Sequence, residues 1–297
     1  MKNPITSLIY FHQKRINQLR DLNSLVFYEL FKKKNKRIEQ VLKNNNVLFN
    51  IQNGNRCFIF GNGPSIKQLD FSLFQNEFVF TVNQLVKNPN FSKLSSNIHF
   101  WADRSFFIRD DSEAGKQLLE AMKKTKESGI ATFYPIQDID FIKNNDLLNS
   151  KTFFHYSSGM QRNKDKRFID FSGRTPGFAT VVQWCIALAV YMGFKEIYLL
   201  GCDNTAIIQT YNAFLDNDVD GYAYEVSEQE KQRIKNLVSA QSLEAYTISH
   251  LRTFEDYRIL KKYCDRRCVK LVNCTPKSLI DCLPKENVYD VLARPKK

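Results

Sequence analysis

Short runs of apolar, aromatic and β-branched residues punctuate the chain at 56–60, 78–82, 97–101, 130–134, 152–155, 196–200 and 268–273. Their length and composition predict strands. Between most of them, over 111–127, 137–148, 178–192 and 251–263, apolar positions recur every three or four residues, which predicts helices. Strands alternating with helices predict an α/β fold with a mostly parallel sheet and helices on both faces. Two segments depart from this rhythm. Before the first strand, Leu8, Phe11, Ile16, Leu19, Leu22, Leu25, Val26, Leu30 and Phe31 keep helical spacing, so residues 1–50 read as an amphipathic helical arm. Asn44-Asn45-Asn46 and Asn53-Gly54-Asn55 then bracket a joint to a body at 51–297. After the strand at 196–200, a polar excursion over 203–228 and a polar helix from Glu228 to Thr247 read together as a lid at about 203–249. A parallel sheet carries such inserts at the C-terminal ends of its strands.

Charge changes the picture of the arm. The 297 residues carry a net charge of +12, and residues 1–50 hold ten basic against three acidic side chains, more than half of the surplus. A basic amphipathic helix with aromatic anchors suits an anionic bilayer surface, while packing on the body is the plainer alternative. No nucleic-acid reader motif accompanies the charge, so nucleic acid is not expected as a partner. The seven cysteines are scattered, several inside apolar runs, and Cys264 and Cys268 lack a second pair at zinc-site spacing. A reducing, cytoplasmic setting without a metal site is the economical reading. Leu8-Ile9-Tyr10-Phe11 is too short for a signal-peptide core, and the most apolar stretch, Phe178 to Met192, falls short of the roughly 20 residues of a spanning helix. The expectation is a soluble or peripheral protein at the inner face of the cytoplasmic membrane.

The most informative stretch is Arg56-Cys57-Phe58-Ile59-Phe60-Gly61-Asn62-Gly63-Pro64-Ser65. An apolar strand runs into a glycine turn, and Pro64 suits the first position of a following helix. Gly61 and Gly63 let the backbone turn sharply and approach a ligand. Free N–H groups there favour an anion, and Asn62 and Ser65 add side-chain hydrogen bonds. The third glycine of the dinucleotide fingerprint is replaced by Ile66, and no P-loop lysine follows; a tight turn that binds nothing is the bland alternative. Asn83 and Asp103 close the second and third strands, where ligands bind in open α/β sheets; for Asp103 a salt bridge or a helix cap competes. Arg174-Thr175-Pro176-Gly177 precedes a long helix and reads as a second anion site beside an arginine. Of the four histidines, only His250 falls after the lid and before a helix, and its ordinary pKa suits a general base. Asp216-Asn217-Asp218-Val219-Asp220-Gly221 resembles a calcium loop, but Ser227 stands where the bidentate glutamate belongs; its Asp-x-Asp also occurs in metal-dependent glycosyltransferases.

In order and approximate spacing, several motifs together resemble the small bacterial CMP-sialic-acid-dependent sialyltransferases. They are Gly61-Asn62-Gly63-Pro64-Ser65, Val82-Asn83-Gln84, Gly193-Phe194-Lys195-Glu196-Ile197-Tyr198-Leu199 with Gly201 and Asp203, Gly221-Tyr222-Ala223-Tyr224-Glu225, His250, and Cys274-Thr275-Pro276-Lys277-Ser278-Leu279. The motility accessory factors and the MptE-like hydroxymethylpterin diphosphokinases are neighbouring families. The resemblance covers roughly residues 56–283 and omits the arm. It implies a Rossmann-like glycosyltransferase that moves sialic acid or a related nonulosonic acid from a CMP-sugar donor to a glycan acceptor with inversion and without a metal. It further implies that Asn62 and Asn83 hold the nucleotide, that Arg174 and Thr175 lie by the donor, that Tyr222 bonds the leaving phosphate, and that His250 takes the acceptor proton. Thr205 stands where the family pattern has a tyrosine, and Asp103 where it has an asparagine, an acid that would suit a magnesium-bound diphosphate or triphosphate. A homo-oligomer is compatible with this reading. The alternatives are pyrophosphoryl transfer to a pterin and a non-catalytic nucleotide-binding scaffold.

Overall fold

The computed structural model describes residues 22–157, 166–215, 217 and 221–296. The first 21 positions of the arm and most of the Asp216–Asp220 run lie outside the described residues. The strands are β1 (Arg56–Phe60), β2 (Phe78–Val82), β3 (Ser96–Phe100), β4 (Ala131–Pro135), β5 (Thr152–Ser157), β6 (Arg174–Thr175), β7 (Glu196–Leu200) and β8 (Lys270–Asn273). They pair in the order β6-β5-β4-β3-β2-β1-β7-β8, every pairing parallel. The expected α/β architecture is thus observed. β6 has only two residues and is too short to leave a pattern in the sequence.

From β1 the chain winds outward through β2 to β6, then returns across the sheet to place β7 on the other side of β1. That return runs through a helix at Val181–Tyr191, whose residues from Val182 onward are all buried. It lies between the sheet and the long helix Leu243–Asp265, so its uncharged sequence has no face to give to water. The two connections that leave β1 and β7 in opposite directions open a crevice between them, the topological switch point at which open α/β sheets bind ligands.

Helices are numbered along the chain as α1 (22–34), α2 (Ile38–Lys43), α3 (Glu113–Glu127), α4 (Ile139–Asn144), α5 (Val181–Tyr191), α6 (Ala206–Phe214), α7 (Glu228–Ser239), α8 (Leu243–Asp265) and α9 (Val288–Leu292). Alternation along each strand divides the core. Cys57, Ile59, Phe80, Val82, Phe100 and Phe133 face α5 and α8. On the other face, Phe58 and Phe60 pack edge-on against Phe74 at 5.1 and 4.9 Å, beneath short 3₁₀ turns and α9. Farther along that face, Trp101, Tyr134, Phe154 and Tyr156 meet α1 to α4.

Three expectations are corrected. The expected arm does not end at a joint: Ile38 and Leu42 are core residues, and the fully buried Asn45 donates to the carbonyls of Phe154 and Phe171 at 2.7 Å each. A run of asparagines reads as a loop because amides are usually solvated, but here one amide satisfies two carbonyls, one on β5 and one in the turn before β6. The helix predicted after Pro64 is a 3₁₀ turn, Pro64–Gln68, too short to carry an appreciable dipole. The polar helix predicted over Glu228 to Thr247 is two helices, because Ser242 accepts from Ala245 N and starts α8 eight residues before the expected start at 251.

Two strand histidines, His99 and His155, are buried, and desolvation lowers each from its usual value near 6.5 to about 3. In the unfolded chain each takes a proton below about 6.5, and in the folded chain only near 3. Stability is therefore full above 6.5 and falls as pH drops through that window, by about 1.4 kcal/mol per pH unit for each group. Replacing His155 by Phe, within the rings of Phe100 and Trp184 at 4.9 and 4.5 Å, is expected to remove one such contribution from the slope of unfolding free energy against pH. Urea titrations across the acid range check this, and an unchanged slope would show that His155 is not held neutral.

Candidate active site

The crevice at the switch point opens into a cavity of about 630 Å³ whose walls come from both the sheet and the lid. Its floor is the close approach of two turns. Gly61 N donates to Leu200 O at 2.7 Å and Gly63 N to Gly201 O at 2.8 Å, so the turn after β1 hydrogen-bonds directly to the turn after β7. A Cβ on Gly61 would come within 2.5 Å of Gly201 O, and one on Gly63 within 1.9 Å of Asp203 Oδ2. The glycines are therefore required by the chain's own packing, and both also line the cavity. Ser65 belongs to the same clamp. Its hydroxyl donates to Asp203 Oδ2 at 2.8 Å and its N–H to Oδ1 at 3.3 Å, and it does not line the cavity. Burial raises the pKa of Asp203 while the Ser65 bonds oppose the rise.

Asn62, between the two glycines, does line the cavity. Its carbonyl accepts from Ala223 N at 2.9 Å and ties the turn to the lid, while its side-chain Oδ1 is shielded from water and meets no protein donor. A buried acceptor without a partner is uncommon and leaves a place for a donor on a ligand. Asn83 also lines the cavity, in the left-handed region, at φ +45°. Its carbonyl bonds His99 Nε2 at 2.9 Å, and His99 Nδ1 meets Thr81 Oγ1 at 2.8 Å. Because a carbonyl only accepts, Nε2 carries the proton and Nδ1 takes the Thr81 hydroxyl. His99 thus acts as a neutral strut that holds the strained Asn83 backbone. Asp103 lines the cavity too, with Oδ1 capping the following turn through Ser105 N at 2.9 Å and Ser105 Oγ at 2.8 Å.

The lid is fastened from beneath. Tyr224 donates to Gln84 Oε1 at 2.7 Å and to Glu230 Oε1 at 3.2 Å, and Lys87 pairs with Glu230 Oε2 at 2.9 Å. Asn88 bonds the Ala223 carbonyl, and Gln209 bonds that of Gly221 at 3.0 Å. This network presents Tyr222 in the cavity wall, its ring 5.7 Å from that of Tyr224. Burial, helped by Glu230 and Asp103, pushes the Tyr222 phenol up to about 12, so at neutral pH it is a hydrogen-bond donor.

Arg174, Thr175 and His250 stand elsewhere. Arg174 and Thr175 form β6, the outermost strand, where Arg174 Nη1 meets Ser24 Oγ at 3.4 Å and Thr175 Oγ1 donates to Tyr156 O at 2.8 Å. It is the segment after them, Phe178 to Val182 with Trp184, that returns to the cavity. The anion position expected before α5 already holds a carboxylate of the chain, Asp256 Oδ2, at 3.1 Å from Ala179 N. His250 lies within α8 and behind the lid wall, Nε2 at 3.1 Å from Thr210 Oγ1 of α6, and burial lowers its pKa, so the imidazole is neutral at pH 7. The cationic side chains that do line the cavity are Arg104 and Arg233, which sequence reasoning missed. Arg104 pairs with Asp138 at 2.8 Å. Arg233, on the polar helix α7, lies 3.3 Å from both Asp110 Oδ2 and the Ser105 carbonyl. Gln84, Gln209 and Glu230 were also missed, because only the folded lid brings them to one wall. Among the described residues, no cluster of three or more His, Cys, Asp or Glu is arranged to hold a metal.

No family model matches the chain, and no curated protein matches it. The structure is similar to that of the sialyltransferase CstII from Campylobacter jejuni, solved in complex with a substrate analogue, cytidine-5'-monophosphate. The two are 20% identical, over 78% of this chain and 85% of that one, with a TM-score of 0.44. It is also similar to the MAf glycosyltransferase from Magnetospirillum magneticum AMB-1, at 15% identity over 86% of this chain and 38% of that one, again with a TM-score of 0.44. At such identities the likeness is one of fold.

The clamp yields a direct expectation. Gly63→Ala should destabilise the protein by about 1–3 kcal/mol, because the new methyl must displace a carboxylate and a backbone carbonyl that are both hydrogen-bonded. Gly173→Ala, with nothing within 4 Å of its added Cβ, is the control. Equal urea midpoints for the two variants would refute the packing role.

Proposed function

We propose that the chain is a glycosyltransferase that moves sialic acid or a related nonulosonic acid from a CMP-activated donor to a surface-glycan acceptor, with inversion and without a metal. The observation that carries the reading is the cavity wall at the switch point. There the partnerless buried Oδ1 of Asn62 lies in the same wall as the protonated phenol of Tyr222. A nucleotide base or ribose offers the donor that Asn62 lacks. A phosphate leaving group offers the acceptor that Tyr222 needs, with Arg233 to offset its charge. Asn83 shares the wall, and Arg104 adds a second cation at its rim.

In the proposed step the acceptor hydroxyl oxygen forms a bond to the anomeric carbon as the bond from that carbon to the phosphate oxygen breaks. The electron pair leaves with CMP, and the proton passes to a base. His250 is our choice of base: it is neutral at pH 7 and one residue removed from the cavity, since its partner Thr210 adjoins the wall residue Gln209. Its bond to Thr210 has to open for this, so α6 shifts against α8 when substrates bind. Arg174 and Thr175 would support the donor only at second hand, through the segment that leads back to Phe178. The enzyme would work in the cytoplasm at the inner face of the membrane, where such donors and growing glycans meet.

A thermal-shift panel of CMP, CDP, UDP, GDP and ATP, with magnesium or with a chelator, tests the donor. CMP alone should raise the midpoint, with no effect of the chelator, and Asn62→Ala should weaken CMP binding about ten-fold. Stabilisation only by ATP with magnesium would favour pyrophosphoryl transfer to a pterin, with Asp103 at the metal. Silence throughout would favour a scaffold. His250→Ala should keep CMP affinity within a few-fold while sugar transfer falls by about 10²–10⁴. Transfer at the parent rate would remove His250 from the mechanism.

A further inference from the structure

The helix α1 is fixed to the body along one narrow stripe. Ser24, Tyr28 and Phe31, at helical spacing, face inward, with Tyr28 edge-on to Tyr156 at 4.7 Å and Phe31 against the same ring at 5.4 Å. Besides the exposed Asn23 and Glu29 and the lysines of its last turn, the outward surface of the helix is apolar. Leu22, Leu25, Val26, Phe27 and Leu30 are 57%, 42%, 49%, 67% and 55% exposed. Five large apolar residues on three helical turns are far more than the scattered exposed leucines of an ordinary surface, and such a patch marks an interaction site.

The flanking charge identifies the occupant. Lys33, Lys34, Lys36 and Arg37 follow directly and are exposed. The nearby acids are engaged, since Glu29 and Glu39 both pair with Lys32, at 3.3 and 2.6 Å. An apolar face that ends in a basic cluster matches the boundary of an anionic bilayer, with acyl chains for Phe27 and Leu30 and headgroup phosphates for the lysines. An apolar protein face, or a second copy of this basic helix, would leave that positive charge unopposed. We propose that the outward face of α1 docks the protein on an anionic lipid bilayer. Tyr156, the anchor of α1, lies near the C-terminal end of β5, the edge of the sheet that carries the cavity. Docking therefore also sets which edge of the sheet lies near the lipid. The proposal does not depend on the sugar-transfer reading.

Co-sedimentation of the full chain with phosphatidylcholine vesicles, alone or with about a third phosphatidylglycerol, tests it. Binding should appear only with the anionic lipid and weaken as salt is raised. The pair Phe27→Ser with Leu30→Ser should lower partitioning at least about ten-fold, and Lys33→Glu with Lys34→Glu should do the same, since each basic residue near an anionic surface strengthens binding about five-fold. All four side chains are exposed, so melting midpoints should stay at the parent value. Parent protein that stays in the supernatant, or variants that sediment like the parent, would overturn the proposal. So would a parent dimer that the Phe27/Leu30 variant converts to monomer with no vesicle binding by either.

Discussion

The close approach of the turns after β1 and β7 is the constraint on which the rest of the structure depends. Two backbone hydrogen bonds, 2.7 and 2.8 Å long, join Gly61 and Gly63 to Leu200 and Gly201, and Asp203 reaches across to Ser65. The approach is possible only because three positions lack a Cβ, and Gly201 also sits at φ +60° against Ile66. The C-terminal segment completes it: Thr275 Oγ1 accepts from Cys202 N at 2.9 Å, and Ser278 donates to the Cys202 carbonyl at 2.6 Å. With its two backbone turns hydrogen-bonded to one another, the floor carries in Asn62 Oδ1 a shielded acceptor without a partner.

Above that floor the cavity depends on a polar network that spans lid and body. Glu230 is buried and bridges Tyr224 and Lys87, so the lid is held by groups that would each be costly to leave unpaired. The network fixes Tyr222 and leaves α6 on the outer side, where its contact with α8 includes the hydrogen bond between Thr210 and His250. The Tyr222 side of the lid is thus tied to the body by buried polar groups, and on the His250 side Phe214 of α6 also packs on Tyr246 of α8. Two consequences of the parallel sheet then coincide. The cavity lies at the C-terminal ends of the strands, and α1 is anchored at the same edge through Tyr156.

Much of the fold was legible because it is local. The strands at 56–60, 78–82 and 196–200 are found where the apolar runs predicted them, and α5 where an uncharged helical run stood, because burial on both sides imposes one composition along the whole element. Asn62, Asn83, Asp103 and Tyr222 reach the cavity wall, since a turn at a strand end or beside a glycine is itself a sequence feature. The failures share a cause. Asn45 reads as loop until the carbonyls of Phe154 and Phe171, more than a hundred residues away, are beside it. Arg174 reads as a donor ligand until the strand order places β6 at the far edge. Arg233 reads as one charge on a polar helix until the lid folds over the cavity. The sequence by itself determined the elements, the parallel α/β class and the glycine turn, because these follow from periodicity and backbone stereochemistry. Tertiary structure alone decided which polar groups share a wall, which face of α1 is left to solvent and what the glycines are for. Those depend on which distant backbone atoms come within hydrogen-bond reach, and no local pattern records that.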